Sequence, residues 1–443
     1  MFSDIVRESQ IPMFFQIDNE VVDKKKDLRV LSLFSGCGGM DLGLEGNFIA
    51  HKKSINPKNK EYIQRKINND WILLKSTRFR TVFANDILKE AKIAWAHYMK
   101  RFGYSSDIYH NESIVDLVKL HKSGINIFPE KIDVVTGGFP CQDFSVAGKR
   151  QGFKSNKNHL GHYIQNGSVV SEETRGKLYY WMKEVVDITK PKIFIAENVK
   201  GLVNLGDVKN IIQQDFSSAD DDGYIVLEPQ VLHAANYGVP ESRERVIFIG
   251  IRKNALRVEA LSALLSDPIP EEYNPYPSPT HACTLDDDSL SPPVVLRDIF
   301  RDLKEPEETL DLSQRNYSKA KYMGAHCQGQ KEVSLDKIGP TIRSEHHGNI
   351  EYRRLSLEHG GCINEELEKG MEERRLTPRE CALIQTFPPD YSFVIPMKNY
   401  ANRRFLLSSS AAYKIIGNAV PPILAYNIGK RIEELWPLLF NLD

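Results

Sequence analysis

Short apolar runs that each end in glycine or polar residues recur along this chain. Leu28–Leu33 is brief and apolar, as a strand buried on both faces would be. It leads into Phe34-Ser35-Gly36-Cys37-Gly38-Gly39, a glycine-rich turn that opens a helix and lets the backbone approach a ligand closely. Thr81–Asn85 reads as a second strand, ending at Asp86 before a helix over Ile87–Tyr98. Further runs at Ile132–Val135, Pro191–Ala196 and within His233–Ile249 predict more strands, and Val420–Leu435 has the spacing of an amphipathic helix. Strands alternating with helices predict a doubly wound α/β sheet, whose reactive groups lie beyond the carboxyl ends of its strands.

Several of those ends carry chemistry. Gly138-Phe139-Pro140-Cys141-Gln142-Asp143 follows the run at Ile132–Val135, so a rigid turn would hold the Cys141 sulfur above a pocket. Taken alone, a cysteine is more often a small buried hydrophobe. Glu197-Asn198 closes another strand, and burial there would raise a carboxyl pKa. Arg243 and Arg245 are two apart, so on a strand they would share one face, facing carboxylates, a ligand or solvent. Asp86 fits either a helix N-cap or a grip on ribose hydroxyls. The front pocket alone serves hydride transfer and methyl transfer equally well.

Length and charge narrow the classes. At 443 residues the chain exceeds what one hydrophobic core normally serves, so two domains are expected. With 41% hydrophobic and 26% charged residues it has a globular composition, and no apolar stretch reaches membrane-spanning length. A cytoplasmic location is expected. The six cysteines are scattered, which supports neither a disulfide framework nor a metal site. The net charge of -1 gives no global pull toward a polyanion, so any nucleic-acid contact must rest on local positive charge. Ala50–Arg80 is a basic, Asn-rich surface excursion, and the prolines from Pro268 to Pro279 with Asp286–Asp288 suit a linker.

Taken in order, these motifs resemble the cytosine-5 DNA methyltransferase family, and Arg175-Gly176-Lys177-Leu178, Arg375-Leu376-Thr377-Pro378 and Gly417-Asn418-Ala419-Val420 extend the match over nearly the whole chain. The resemblance implies a Rossmann-like, S-adenosylmethionine-dependent catalytic domain over residues 28–253, after an extension over 1–27. A smaller target-recognition domain over 254–400 and a returning segment over 401–443 follow. It implies Cys141 as the nucleophile on a flipped cytosine, Glu197 at ring nitrogen 3 and Arg245 at the oxygen at position 2. Asn198, Arg243 and Gln142 complete the expected catalytic set. Phe34, Ser35, Gly36, Gly38, Gly39, Asp86, Ile87, Pro140, Leu178, Asn418 and Val420 would line the cofactor site. Glu112 is the nearest equivalent of an adenine-binding aspartate, and Glu241 stands where many members have glutamine. For DNA reading the implied residues are Arg343, His347, Arg353 and Arg354, with Arg374, Arg375 and Arg379 on phosphates, and the polar stretch after Cys141 would close as a lid.

The expected substrate is double-stranded DNA, with cytosine in transfer RNA as the alternative within the same fold. No metal and no membrane are expected. A free-standing monomer paired with a restriction endonuclease fits the apparent architecture. A nicotinamide dehydrogenase would have no use for Pro140-Cys141-Gln142. A silent DNA-binding regulator would need no activated thiol.

Overall fold

The computed structural model describes residues 27–140, 178–204, 207–284, 286–344, 349–397 and 404–441. Strand β1 (Leu28–Leu33) runs into helix α1 (Gly39–Glu45), as the apolar run and its glycine-rich turn predict. Then come β2 (Ile49–His51), β3 (Ile63–Lys66), β4 (Trp71–Leu74), β5 (Phe79–Asn85), α2 (Lys89–Met99) and β6 (Tyr109–His110). Next are α3 (Ile114–Lys122), β7 (Val134–Gly137), α4 (Leu178–Thr189), β8 (Ile193–Val199) and α5 (Val208–Ser217). Three strands close this part: β9 (Tyr224–Val226), β10 (Gln230–His233) and β11 (Glu244–Arg252).

One sheet has the order β10-β11-β8-β7-β1-β5-β6, with β9 also on β11. Its members β8, β7, β1, β5 and β6 are parallel, and β11 lies antiparallel on β8. The chain proceeds from β1 to β5 on one side and returns to β7 on the other, which makes β1/β7 the switch point where such sheets bind ligands. Successive strand residues enter opposite layers: Val30, Val134, Ile193 and Ile195 face one core, Leu31, Val135, Phe194 and Ala196 the other. That double burial is why these strands read as continuous apolar runs.

The segment Ala50–Arg80 is more than an excursion. It builds a separate antiparallel sheet, β2-β4-β3, whose apolar residues Ile72, Leu73 and Leu74 are buried while Lys58, Lys60, Arg65 and Lys66 stay exposed. The short apolar run Trp71–Leu74 supplies the buried middle strand, while Ile63–Lys66 forms its exposed edge.

Helix Pro422–Leu439 packs directly on α1 with its expected apolar side, Ile423, Tyr426, Ile428 and Ile432, fully buried. The segment entering this helix comes so close to α1 that a Cβ on Gly39 would lie 2.2 Å from the Val420 carbonyl. Gly39→Ala is therefore expected to destabilise the fold by about 1–3 kcal/mol through overpacking, read as a lowered thermal midpoint.

Candidate active site

The carboxyl ends of β1, β5, β6, β7 and β8 align, because Leu33 sits beside Asn85 and Gly137, Asn85 beside His110, and Gly137 beside Ala196. Every sequence motif at a strand end therefore arrives at one edge of the sheet.

On the β7/β8 side, Glu197 is buried and its Oε1 lies 2.7 Å from Arg245 Nε. Pairing of β11 with β8 sets this contact: Arg245 stands opposite Val199, two residues from Glu197. Burial pushes the Glu197 carboxyl above the usual carboxylate range, while the charges of Arg245 and Arg243 pull against that rise. Gly138 leaves room for this acid, since a Cβ there would lie 2.8 Å from Glu197 Oε2. Asn198 Nδ2 donates to the Phe139 carbonyl at 3.1 Å, tying β8 to the segment that leads toward Cys141. Phe139 is buried, with its ring 6.2 Å from Tyr179 beside the buried Leu178. Cys141 and Gln142 lie outside the described residues, as does the expected lid.

Arg243 and Arg245 part company. Arg243 precedes the strand, and its Nη2 donates to the carbonyls of Gly417 at 2.9 Å and Ala419 at 2.7 Å. Its Nη1 donates to the Ile342 carbonyl at 3.1 Å, and Glu241 Oε1 accepts the Ile342 N–H at 2.7 Å. These contacts clamp the returning chain to the start of β11; because Arg243 lies one residue before that strand, the two arginines do not share a strand as expected.

The glycine-rich turn faces the β1/β5 side. Gly36 has φ +54°, and nothing lies within 4 Å of where its Cβ would be, so this turn opens onto free space. Gly38 has φ +81° and packs against Trp95, where a Cβ would meet the ring at 2.6 Å. Three of the turn's N–H groups have protein acceptors: Ser35 bonds Asn85 O, Gly38 bonds Ser35 O, and Gly36 bonds Asp86 Oδ2 at 3.1 Å. The Ser35 hydroxyl is likewise engaged, on Ser32 and Asn85. Such a turn lets a ligand come close at Gly36.

Asp86 Oδ1 accepts from Leu88 N–H at 2.8 Å, two residues on, and α2 begins later than expected, at Lys89. Burial raises this carboxyl to about 6, against the pull of the Leu88 and Gly36 N–H bonds, although the residue keeps part of its surface open. Each oxygen retains a lone pair for a hydroxyl. Beside it Ile87 is 43% exposed, unusual for an isoleucine at the mouth of a buried strand. Phe34 holds a strained φ of +52°. Glu112 is well exposed, with its side chain 3.9 Å from His110 Nδ1. Val420 is buried against Gly39, and Asn418 is exposed at the end of helix Ser409–Asn418. The open turn at Gly36 and the acid at Asp86 therefore fit a nucleoside-type ligand.

Asp41, in the first turn of α1, escaped the sequence reading. It accepts from Ser32 Oγ at 2.6 Å and Trp95 Nε1 at 2.7 Å, and burial raises it to about 6. An acid two residues beyond a glycine pair was the only sequence sign of it.

Two of the expected DNA-reading residues face inward. Arg353 and Arg354 flank Glu366 at 2.5 Å each, Arg354 also reaches Glu305 at 3.2 Å, and Arg374 bridges Glu305 and Glu380. Arg354 is only 2% exposed. Arg375 and Arg379 are buried as well. In a sequence, a paired internal arginine is indistinguishable from a displayed one. Arg343 is half-buried, 3.0 Å from Glu351, and His347 lies outside the described residues.

This cluster predicts an acid sensitivity. Burial alone would raise Glu305, but the hydrogen bonds and charges of Arg374 and Arg354 outweigh it and hold it at about 2. A depressed carboxyl stabilises the fold fully above its unfolded value of 4.5 and loses that contribution as pH falls toward 2. Glu305→Gln is expected to flatten the acid limb of stability between those values, measured by denaturant unfolding across pH.

The sequence profile described as C-5 cytosine-specific DNA methylase matches residues 28–434. The chain belongs to this family, and it is a DNA cytosine-5 methyltransferase. Among its relatives, the type II methyltransferase M.BsuRI of Bacillus subtilis is 31% identical over 426 residues, covering 94% of this chain and 81% of the relative. M.BspRI of Lysinibacillus sphaericus is 30% identical, covering 94% and 84%. M.HpaII of Haemophilus parainfluenzae is 30% identical over 69% of this chain and 73% of its own length. Methyl transfer in this family draws on S-adenosylmethionine, and the open turn at Gly36 beside Asp86 accords with that donor. Among the described residues, no helix of this methylase is long and apolar enough to cross a membrane, and no group of three His, Cys, Asp or Glu could hold a metal.

Proposed function

We propose that this chain modifies cytosine within a specific double-stranded DNA sequence through a covalent bond from Cys141. On this reading it protects host DNA from a companion restriction endonuclease and works as a monomer in the cytoplasm. The observation that supports this best is the buried Glu197–Arg245 pair at 2.7 Å, held where β7 and β8 end beside the segment leading to Cys141.

Carbon 5 of cytosine is a weak nucleophile. The Cys141 thiolate adds to carbon 6, and Glu197 holds a proton at ring nitrogen 3 while electron density moves to carbon 5. Arg245 stabilises charge developing on the oxygen at position 2. S-adenosylmethionine, when bound, supplies an electrophilic methyl group to that carbon. Loss of the carbon 5 proton then expels the Cys141 thiolate and restores the aromatic ring. Phe34, Gly36, Asp86 and Ile87 hold the donor, with Leu178, Pro140 and Val420 at its rim. Asn198 positions the loop bearing the nucleophile, and Arg243 acts by positioning the returning segment. The base leaves its stack to reach this site.

Bisulfite sequencing of DNA from cells producing the protein tests the proposal, with labelled-methyl transfer to transfer RNA run beside it. Methylated cytosine at one recurring sequence is expected; label in transfer RNA alone would overturn it.

A further inference from the structure

Acidic residues outnumber basic ones across the interval 254–400, yet between Asp311 and Glu332 the chain carries Arg315, Lys319, Lys321 and Lys331 and no acid. This stretch has little regular structure, but it is tightly built. The buried Arg375, in a two-residue strand paired with Tyr352–Arg354, sends its guanidinium into the loop. Nε donates to Ala320 O at 2.8 Å, Nη2 to Lys321 O at 3.3 Å, and Nη1 to Gly329 O at 2.9 Å and to Ile350 O. The guanidinium carbon also lies 4.2 Å from the centre of the Tyr352 ring.

A second buried side chain repeats the device. Gln330 Oε1 accepts the Met323 N–H at 2.9 Å, and its Nε2 donates to Gln328 O at 3.3 Å. The Cys327 N–H closes a turn on Gly324 O at 3.0 Å. Tyr322 is half-buried and stacks on His359 at 4.2 Å. What remains outward is Lys319, Lys321, Met323, His326 and Gln328, with Met323 68% exposed. A buried charge is costly unless its hydrogen bonds are satisfied. Here the satisfying partners are loop carbonyls, so the guanidinium fixes the loop's shape and thereby the aim of its exposed side chains.

We propose that Lys319–Gln328 is the element that reads base edges in the major groove. The displayed groups match that code: lysine donates to guanine O6 and N7, glutamine pairs with adenine, and a methionine packs on a thymine methyl. The local positive charge suits a phosphate-lined groove, and the rigid backbone supplies the fixed geometry that readout needs. Arg353 and Arg354, which the sequence suggested for this work, are occupied internally. The proposal rests on the reading of this chain as a methylase of duplex DNA.

Selecting duplexes from a randomised library by binding, and sequencing what is retained, tests it even for a variant that no longer turns over. Wild type is expected to enrich one motif; if it enriches none, the sequence-specific reading itself falls. Lys321→Ala with Gln328→Ala, and separately Met323→Ala, are expected to lose about tenfold or more of discrimination at one or two base pairs. Affinity for unselected duplex and the thermal midpoint should stay as in wild type, as should the motif of an exposed control, Lys58→Ala. An unchanged motif in both loop variants would overturn the assignment. So would uniform weakening on all sequences with a shallower salt dependence, because that is the signature of phosphate contacts.

Discussion

Cys141→Ser is expected to abolish methyl transfer while S-adenosylmethionine affinity stays within a few-fold of wild type. A serine hydroxyl at neutral pH is almost wholly protonated and adds poorly to carbon 6 of a pyrimidine, whereas a thiolate adds readily. On the proposed reading the donor is held mainly by other strands: the Gly36 turn follows β1 and Asp86 follows β5. Losing the sulfur should therefore leave that pocket intact. Equilibrium titration of the cofactor and single-turnover methylation of duplex DNA separate the two effects. A serine variant that retained a tenth of wild-type turnover would remove Cys141 from the chemistry. Wild-type protein should also form an adduct with 5-fluorocytosine DNA that survives denaturing electrophoresis, and the serine variant should not.

Glu197→Gln should slow the chemical step by about a hundredfold or more, the amount typical of a lost acid. The amide keeps the size and can still accept from Arg245, so the fold at the mouth of β8 should hold. What goes is the carboxyl proton, which burial favours here against the pull of two arginines. Single-turnover rates across pH are the measurement. The wild-type rate should decline as pH rises and Glu197 loses its proton, and the glutamine variant should lack that limb. An identical pH profile in both proteins would assign the proton to another group.

Much of the catalytic side was legible in sequence because its elements are local. Leu28–Leu33 emerges as a strand with unchanged bounds, and the run leading to Glu197 ends at a strand mouth. Strands buried on both faces leave a dense apolar signature, and glycines needed for a positive φ, as at Gly36 and Gly38, stand out from any other residue. The basic segment Ala50–Arg80 was less legible. Its strands are only three or four residues long, and one of them, Ile63–Lys66, is mostly polar and exposed, so no extended period announces a sheet. Neither strand length nor periodicity bore on Arg353 and Arg354, whose partners Glu305 and Glu366 come from other parts of the chain.

By itself, the order of motifs along the chain determined the doubly wound sheet, the family and the reaction. Each of those depends on residue types placed at strand ends, and a strand end is a local event. Folding in three dimensions decided which charged groups face inward. It sent Arg243 to the carbonyls of Ile342, Gly417 and Ala419, Arg245 to Glu197, and Arg375 into a distant loop. The physical reason is that a buried guanidinium must satisfy its donors wherever the chain brings acceptors close, and those acceptors are main-chain oxygens and carboxylates that carry no sequence mark.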